Sequence, residues 1–312
     1  MILLALFVYF VFLNSAFYSS YGENQQKSLP NLLFLMSDDL RTDLSIYNRK
    51  HIISPNFERL AKRSIIFDKA YNQLAVCFPS RHSMLTGIRP DTTGIHTWTD
   101  GQLPFLDSLF SVLVRNNYHS SGIGKLFHHP HNGSNEFPDG RWDGYWYKYQ
   151  AYEQVFMNSS ITPDDNFPEE DFRDYIIASY GIDKIKELVK KSQVTKNPFS
   201  ISIGFKQPHT QYHIPRKYFE LYKYNTYLSN ILINAKNDPK YGFPVTTPRM
   251  NYRCCDRFKF WPMVDEGRKK STKILPKFEK FYGSMRFPPQ AIMELQWGYF
   301  GGITFLDAMV YI

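Results

Sequence analysis

Val76-Cys77-Phe78-Pro79-Ser80-Arg81-His82-Ser83-Met84-Leu85-Thr86-Gly87 runs on into Ile88-Arg89-Pro90-Asp91-Thr92-Thr93-Gly94. Pro79 and Ser80 favour the first turn of a helix, which puts Cys77 at or just before a helix N-terminus. Free N–H groups and the positive end of the helix dipole favour an anion there. Arg81, one turn further in, adds a planar cationic fork matched to an oxyanion. Gly87 supplies the stop. A cysteine so placed can also be an ordinary buried thiol, the commoner use of a lone cysteine. The neighbouring segments bear on that choice.

Working outward, three apolar strands are predicted, each breaking off in polar residues. Asn31-Leu32-Leu33-Phe34-Leu35-Met36 ends in Ser37-Asp38-Asp39. Open α/β sheets bind ligands beyond the C-terminal ends of their strands. Two adjacent carboxylates there repel unless a cation or an arginine compensates, and a hard cation such as Ca²⁺ suits them. The pair also suits a helix N-cap. Residues 118–123 form the second strand, and the loop Gly124-Lys125-Leu126-Phe127-His128-His129-Pro130 brings Lys125 and His128 to the same edge. The third strand, Phe199-Ser200-Ile201-Ser202-Ile203-Gly204-Phe205, precedes Lys206-Gln207-Pro208-His209.

Helices fall between these strands. Ser54-Pro55 opens one, with Phe57, Leu60 and Ala61 inward, and residues 64–67 read as a short strand after it. Residues 104–117 are amphipathic, with Leu106, Leu109, Phe110, Leu113 and Val114 on one stripe. Residues 169–191 carry Tyr175, Ile176, Ile182, Ile185, Leu188 and Val189 as their stripe, with Gly181 as a candidate break. Pro288-Pro289 opens a last helix that continues through Gly301-Gly302. Residues 133–166 and 222–287 read as irregular, aromatic-rich loops.

Cys77-x-Pro79-x-Arg81, with Leu85-Thr86-Gly87 and Arg89-Pro90-Asp91-Thr92-Thr93, resembles the signature of the sulfatase family. Asp38-Asp39, Gly124-Lys125-x-Phe127-His128 and Pro208-His209 follow that family's order. The resemblance spans roughly residues 29–312 and is closest to the iduronate-2-sulfatase branch. It implies an α/β fold of the alkaline-phosphatase-like superfamily, with a central mixed, largely parallel sheet flanked by helices. It implies that a formylglycine-generating enzyme, which reads Cys-x-Pro-x-Arg, converts Cys77 to formylglycine. Asp38, Asp39 and the converted residue 77 would hold Ca²⁺. Arg81, Lys125, His128 and His209 would be catalytic, with Lys125 and His209 also binding the sulfate. The substrate class would be a sulfated glycosaminoglycan. One position departs from the pattern: Gln207 stands where the family usually has lysine, and Lys206 is displaced by one residue, which re-aims its side chain. Two other readings compete. One is a secreted, non-catalytic binder of sulfated polysaccharide. The other is a phosphate-ester hydrolase of the same superfamily, which usually has Ser or Thr in place of Cys77.

The 312 residues, 43% hydrophobic, suffice for one large core or two modest domains. A formal charge of +8 suits acidic partners. No nucleic-acid-binding pattern accompanies it, so nucleic acid is not expected as a partner. The apolar run from Ile2 to Leu13 is short for a membrane span and fits the core of a signal peptide. Ser20 and Gly22 then mark cleavage after residue 22, leaving 23–312 as the N-terminal part of a catalytic domain. Cleavage after Ala16 and an uncleaved anchor are the alternatives. Asn132-Gly133-Ser134 and Asn158-Ser159-Ser160 are glycosylation sequons. A secretory route, to the lysosome or the exterior, is therefore expected. Cys254 and Cys255 are adjacent and could bridge each other, pair with another chain or stay reduced.

The sequence stops at Val310-Tyr311-Ile312, inside an apolar helical run. The family resemblance implies a later strand with an Asp-His or Asp-Asn pair that completes the metal site. The expectation is a chain truncated at its C-terminal side, with an apolar stripe of its last helix uncovered. Asp165-Asn166 has the letters of that pair but lies in an irregular segment.

Overall fold

The computed structural model describes residues 9–13, 29–96, 107–127, 145–146, 161–164, 168–210, 212–223 and 289–312. Five strands form the main sheet: β1 (Tyr9–Leu13), β2 (Asn31–Met36), β3 (His119–Gly124), β4 (Tyr145–Trp146) and, after β5 (Ile161–Asp164), β6 (Phe199–Gly204). Their order is β1-β2-β6-β3-β4. Only β1 runs antiparallel, so the sheet is mixed and largely parallel, as expected. Strand β5 pairs in parallel with β7 (Tyr212–Pro215) in a separate two-stranded sheet. The run from Ile2 to Leu13, read as a signal-peptide core, contributes β1 at the sheet edge. Within residues 133–166, read as irregular, β4 and β5 are short strands.

Strand β6 sits in the middle and is buried throughout. Its Phe-Ser-Ile-Ser-Ile-Gly alternation gives the sheet two unlike faces. Phe199, Ile201 and Ile203 enter the larger core. On the other face Ser200 donates to the Ser120 hydroxyl of β3 at 2.8 Å, which pairs two buried polar groups. Strand β2 alternates likewise: Leu33 and Leu35 pack on the larger core, while Phe34 and Met36 belong to a second one.

The helices are α1 (Pro55–Ala61), α2 (Cys77–Thr86), α3 (Pro90–Thr93), α4 (Leu109–Arg115), α5 (Arg173–Thr195), α6 (Arg216–Lys223) and α7 (Pro289–Tyr311). The larger core is completed by Ile177, Ala178 and Leu188 of α5, Phe219 and Tyr222 of α6, and Ile303, Phe305, Leu306 and Met309 of α7. Leu85 of α2 and Phe110 of α4 close the second core. The result is helix, sheet, helix in three layers. None of the helices among the described residues is long and apolar enough to cross a membrane.

Several expectations are corrected. Residues 64–67 are not a strand. They pair with none among the described residues, and Ile65 and Phe67 are largely exposed. Helix α4 starts only at Leu109, because Ser108 caps it by accepting from the Ser111 N–H at 3.2 Å. Residues 104–106, the expected start, lie outside the described residues. Helix α5 follows a short 3₁₀ turn, Glu169–Asp171, and runs past residue 191 to Thr195. Its inward stripe is Asp174, Ile177, Ala178, Gly181 and Leu188, so Ile176 and Val189 are not on it. Gly181 does not break the helix. A Cβ there would lie 2.6 Å from Ile203 Cδ1, so glycine lets α5 lie close on β6. Helix α7 is covered along most of its length, against the expectation of a bare stripe. Ile303, Phe305 and Leu306 are at most 1% exposed, while Tyr311 and Ile312 at its end are open. His128, both sequons, Asp165-Asn166, Cys254 and Cys255 lie outside the described residues.

Candidate active site

Met36, Gly204 and Gly124 are in register at the ends of the three parallel strands β2, β6 and β3. The residues that follow each strand therefore converge at one edge. Gly124 has φ +73°, and a Cβ on it would lie 2.1 Å from the Gly204 carbonyl oxygen. A Cβ on Gly204 would lie 2.0 Å from the Lys125 carbonyl oxygen. Only glycine fits this crossing, where the Lys125 N–H donates to the Gly204 carbonyl at 2.7 Å. The chain then turns Lys125 toward Asp38.

Asp38 is 1% exposed and accepts from two cations: Arg81 Nη2 at 2.9 Å and Lys125 Nζ. Burial alone would raise its carboxyl. Lys125 and Arg81 outweigh that and hold it well below the ordinary carboxylate range. Arg81 Nη1 also donates to the carbonyls of Lys125 (2.5 Å) and Leu126 (3.1 Å). The guanidinium expected to meet an oxyanion is thus buried and committed. It ties α2 to Asp38 and to the loop after β3. Lys125 keeps the more open position of the two cations, its side chain 10% exposed against 2% for Arg81.

Cys77 is the first residue of α2, as its sequence context predicts, and its Sγ lies 3.9 Å from Asp39 Oδ1. Burial, then the charge of Asp38, pushes the thiol up to about 12. It is fully protonated at neutral pH and a poor nucleophile as it stands. Burial and the neighbouring Asp38 raise Asp39 from 3.8 to about 7. His209 Nε2 lies 3.5 Å from Asp39 Oδ2 and 3.9 Å from Asp38 Oδ2. Its Nδ1 faces the Thr210 carbonyl, which can only accept, so the proton sits on Nδ1. Burial and Lys206 keep this imidazole well below its ordinary value, hence neutral. Its Nε2 lone pair therefore faces two carboxylates.

Asp38, Cys77 and His209 bring one donor atom each within 4.8 Å of one another. These atoms could hold a further cation besides Arg81 and Lys125. The oxygens of Asp38 and Asp39 fit a hard divalent cation such as Ca²⁺; the sulfur of Cys77 is soft and does not. Residue 77 could join such a site only with oxygen in place of sulfur.

Of the residues singled out in the sequence, Asp38, Asp39, Cys77, Arg81, Lys125 and His209 meet here. The charge of Lys206 is felt by both Asp39 and His209. Gln207 is buried instead beside α7, where a Cβ on Gly302 would come within 2.8 Å of its Oε1. Two supporting residues were missed. Asp174 of α5 accepts from the N–H groups of Lys206 (2.9 Å) and Gln207 (2.8 Å), fixing the turn before His209. Its signal was an acid in line with Ile177, Ala178 and Gly181 at helical spacing. Asp307 of α7 accepts from the N–H groups of Asn56 (3.1 Å) and Phe57 (2.8 Å) at the start of α1. Its signal was an acid inside an apolar helix.

A charged cluster at the C-terminal edge of a parallel sheet, between two helical layers, defines an α/β protein with its site at the strand ends, where such folds bind ligands. In agreement, the fold matches a solved phosphonate monoester hydrolase of Agrobacterium radiobacter with TM-score 0.58 and 15% identity, covering 91% of this chain and 58% of that one. The sulfatase family model matches residues 30–241, and the chain belongs to the sulfatase family. It is 33% identical over 219 residues to a sulfatase of Formosa agariphila, covering 62% of this chain and 42% of that protein. It is 27% identical over 301 residues to human iduronate 2-sulfatase, covering 90% of this chain and 50% of that protein. The chain thus spans about half the length of these curated relatives.

Proposed function

We propose that this chain is the N-terminal part of the catalytic domain of a secreted sulfatase that removes sulfate from a sulfated glycosaminoglycan sugar. The observation that carries this reading is Cys77 at the start of α2, facing the acid pair Asp38-Asp39 beside Lys125. The protonated thiol suits a residue that must be converted before it can act. Conversion to formylglycine would supply an aldehyde hydrate with two hydroxyls, one to attack sulfur and one whose loss of a proton later expels sulfate. Asp38 and Asp39 would hold Ca²⁺, which when bound supplies a fixed divalent charge at residue 77.

The remaining roles belong to side chains of the chain itself. Lys125, the more open cation, would bind a sulfuryl oxygen and offset its growing charge. Arg81 would act through Asp38, fixing the carboxylate and the Lys125 loop. His209, neutral with a free Nε2, would take up or return a proton at the ester oxygen. His128 would serve the second half-reaction as a base. The similarity to human iduronate 2-sulfatase supports a uronate 2-sulfate as the sugar and, with the two sequons, a secretory, lysosomal or exported location.

The test is expression through a secretory pathway with active formylglycine-generating enzyme. The peptide holding Cys77 should react with a hydrazide and show the aldehyde mass, and the protein should prefer sulfated uronates over phosphate monoesters. Unmodified cysteine alone, beside a control sulfatase that is converted, would overturn the proposal.

A further inference from the structure

Asp39 has φ +58°, a left-handed conformation that a residue other than glycine rarely holds unaided. The hydroxyl of Tyr299, on α7, spans this turn. It donates to the Asp39 carbonyl at 2.9 Å and accepts from the Arg41 N–H at 2.8 Å. One phenol thus bridges the Asp39 carbonyl and the Arg41 N–H across Leu40, fixing the peptide that leaves Asp39, and joins residues 258 positions apart. The ring is itself held. Tyr212 of β7 meets it edge-on, with centroids 6.3 Å apart and planes at 77°. Gly298, one residue earlier on α7, leaves room for that ring, since a Cβ there would lie 2.5 Å from Tyr212 Cδ2.

We infer that Tyr299 is a positioning residue for the cation site: its hydroxyl holds Asp39 in the left-handed turn that aims the carboxylate at Cys77 and His209. This deepens the proposed function and rests on its reading of Asp38 and Asp39 as cation ligands. Tyr299 touches no reacting atom. Its effect passes through the backbone of Asp39, and a carboxylate free to swing loses the convergence that a hard cation needs.

The experiment compares Tyr299→Phe with Tyr222→Phe and Asp39→Asn in the full chain. Tyr222 is the matched control. Its hydroxyl accepts from the Ile53 N–H at 2.9 Å and pairs with Thr304 Oγ1 at 2.6 Å, so it too joins α7 to an N-terminal loop. Calcium affinity is read by calorimetry with calcium chloride, and exchange of the Arg41 amide by deuterium labelling. Tyr299→Phe should weaken calcium about three- to tenfold, the worth of one or two hydrogen bonds, and speed exchange at Arg41. Tyr222→Phe should leave both unchanged and speed exchange at Ile53 instead. Unchanged affinity in Tyr299→Phe, where Asp39→Asn loses calcium, overturns the positioning role and leaves the cation reading standing. Equal weakening in both tyrosine variants also overturns it, as the mark of general loosening. No calcium uptake by the parent chain overturns both readings together.

Discussion

Replacing Arg81 by Met keeps the length and apolar stem of the side chain and removes its charge and donors. Three bonds go: those to Asp38 Oδ1 (2.9 Å), to the Lys125 carbonyl (2.5 Å) and to the Leu126 carbonyl (3.1 Å). Asp38, 1% exposed, keeps only Lys125 against its charge. Breaking a buried ion pair from one side costs about 3–5 kcal/mol, mostly because the remaining charge is stranded. Domains are commonly stable by only about 5–15 kcal/mol, so the variant should sit near the edge of folding. Urea titration followed by tyrosine and tryptophan fluorescence measures the loss. It should be done on unconverted protein, because Arg81 is also part of the Cys-x-Pro-x-Arg motif and activity would mix the two effects. Adding Asp38→Asn removes the stranded charge, so the double variant should be more stable than the sum of the two single losses implies. A loss below about 1 kcal/mol for Arg81→Met, with no coupling to Asp38, would refute the argument that this arginine is structural.

Two further perturbations test the site's frame. Gly204→Ala drives a Cβ into the Lys125 backbone, which cannot give way as a side chain tip can, whereas Gly87 has open space around it and only its φ of +72° to strain a substitution. Thermal melts should show Gly204→Ala the more damaging, by at least about 1–3 kcal/mol of overpacking; equal melts would sink the close-crossing account. Asp39 titrates near 7 in the folded chain and at 3.8 ordinarily, so between those values the folded state holds a proton that the unfolded state has lost. The contribution of Asp39 to metal-free stability is then highest below about pH 4 and falls as the pH rises to about 7. Asp39→Asn should flatten that fall in melts taken without calcium, and an equally steep fall in the variant would count against the shift.

The three central strands and their order along the chain were legible because each is an apolar run ending abruptly in polar residues. Parallel neighbours bring those ends together automatically, so Asp38, Lys125 and His209 could be foreseen at one edge. Arg81 was placed correctly and its partners were not foreseen. A cationic fork one turn into a helix looks ready for an anion, and only the packed structure shows two carbonyls and a carboxylate already occupying it. Residues 64–67 misled for a related reason: an apolar run makes a strand only where a neighbour supplies hydrogen bonds. The inward face of α5 was read in part: Leu188 is in the core and Tyr175 and Ile185 pack on it, but the buried Asp174, Ile177, Ala178 and Gly181 were not named. Buried acids that accept backbone N–H groups, such as Asp174 and Asp307, defeat a reading that sorts residues by polarity alone. Tyr299 was hidden differently, since its partner lies 258 positions away and nothing local marks it.

The clamp of Asp307 on the start of α1 has a consequence for the order in which the chain is made. Asn56 and Phe57 leave the ribosome about 250 residues before their acceptor does. At roughly 5–20 residues per second that is a delay on the order of ten to fifty seconds. Through that interval the first helix has bare N–H groups at its start and part of its core missing. Strand β2 likewise waits 168 residues from Asn31 to the Phe199 N–H it accepts. The early half of the nascent chain must therefore be kept from wrong partners until α7 emerges, which makes the chaperones that attend it participants in building the site.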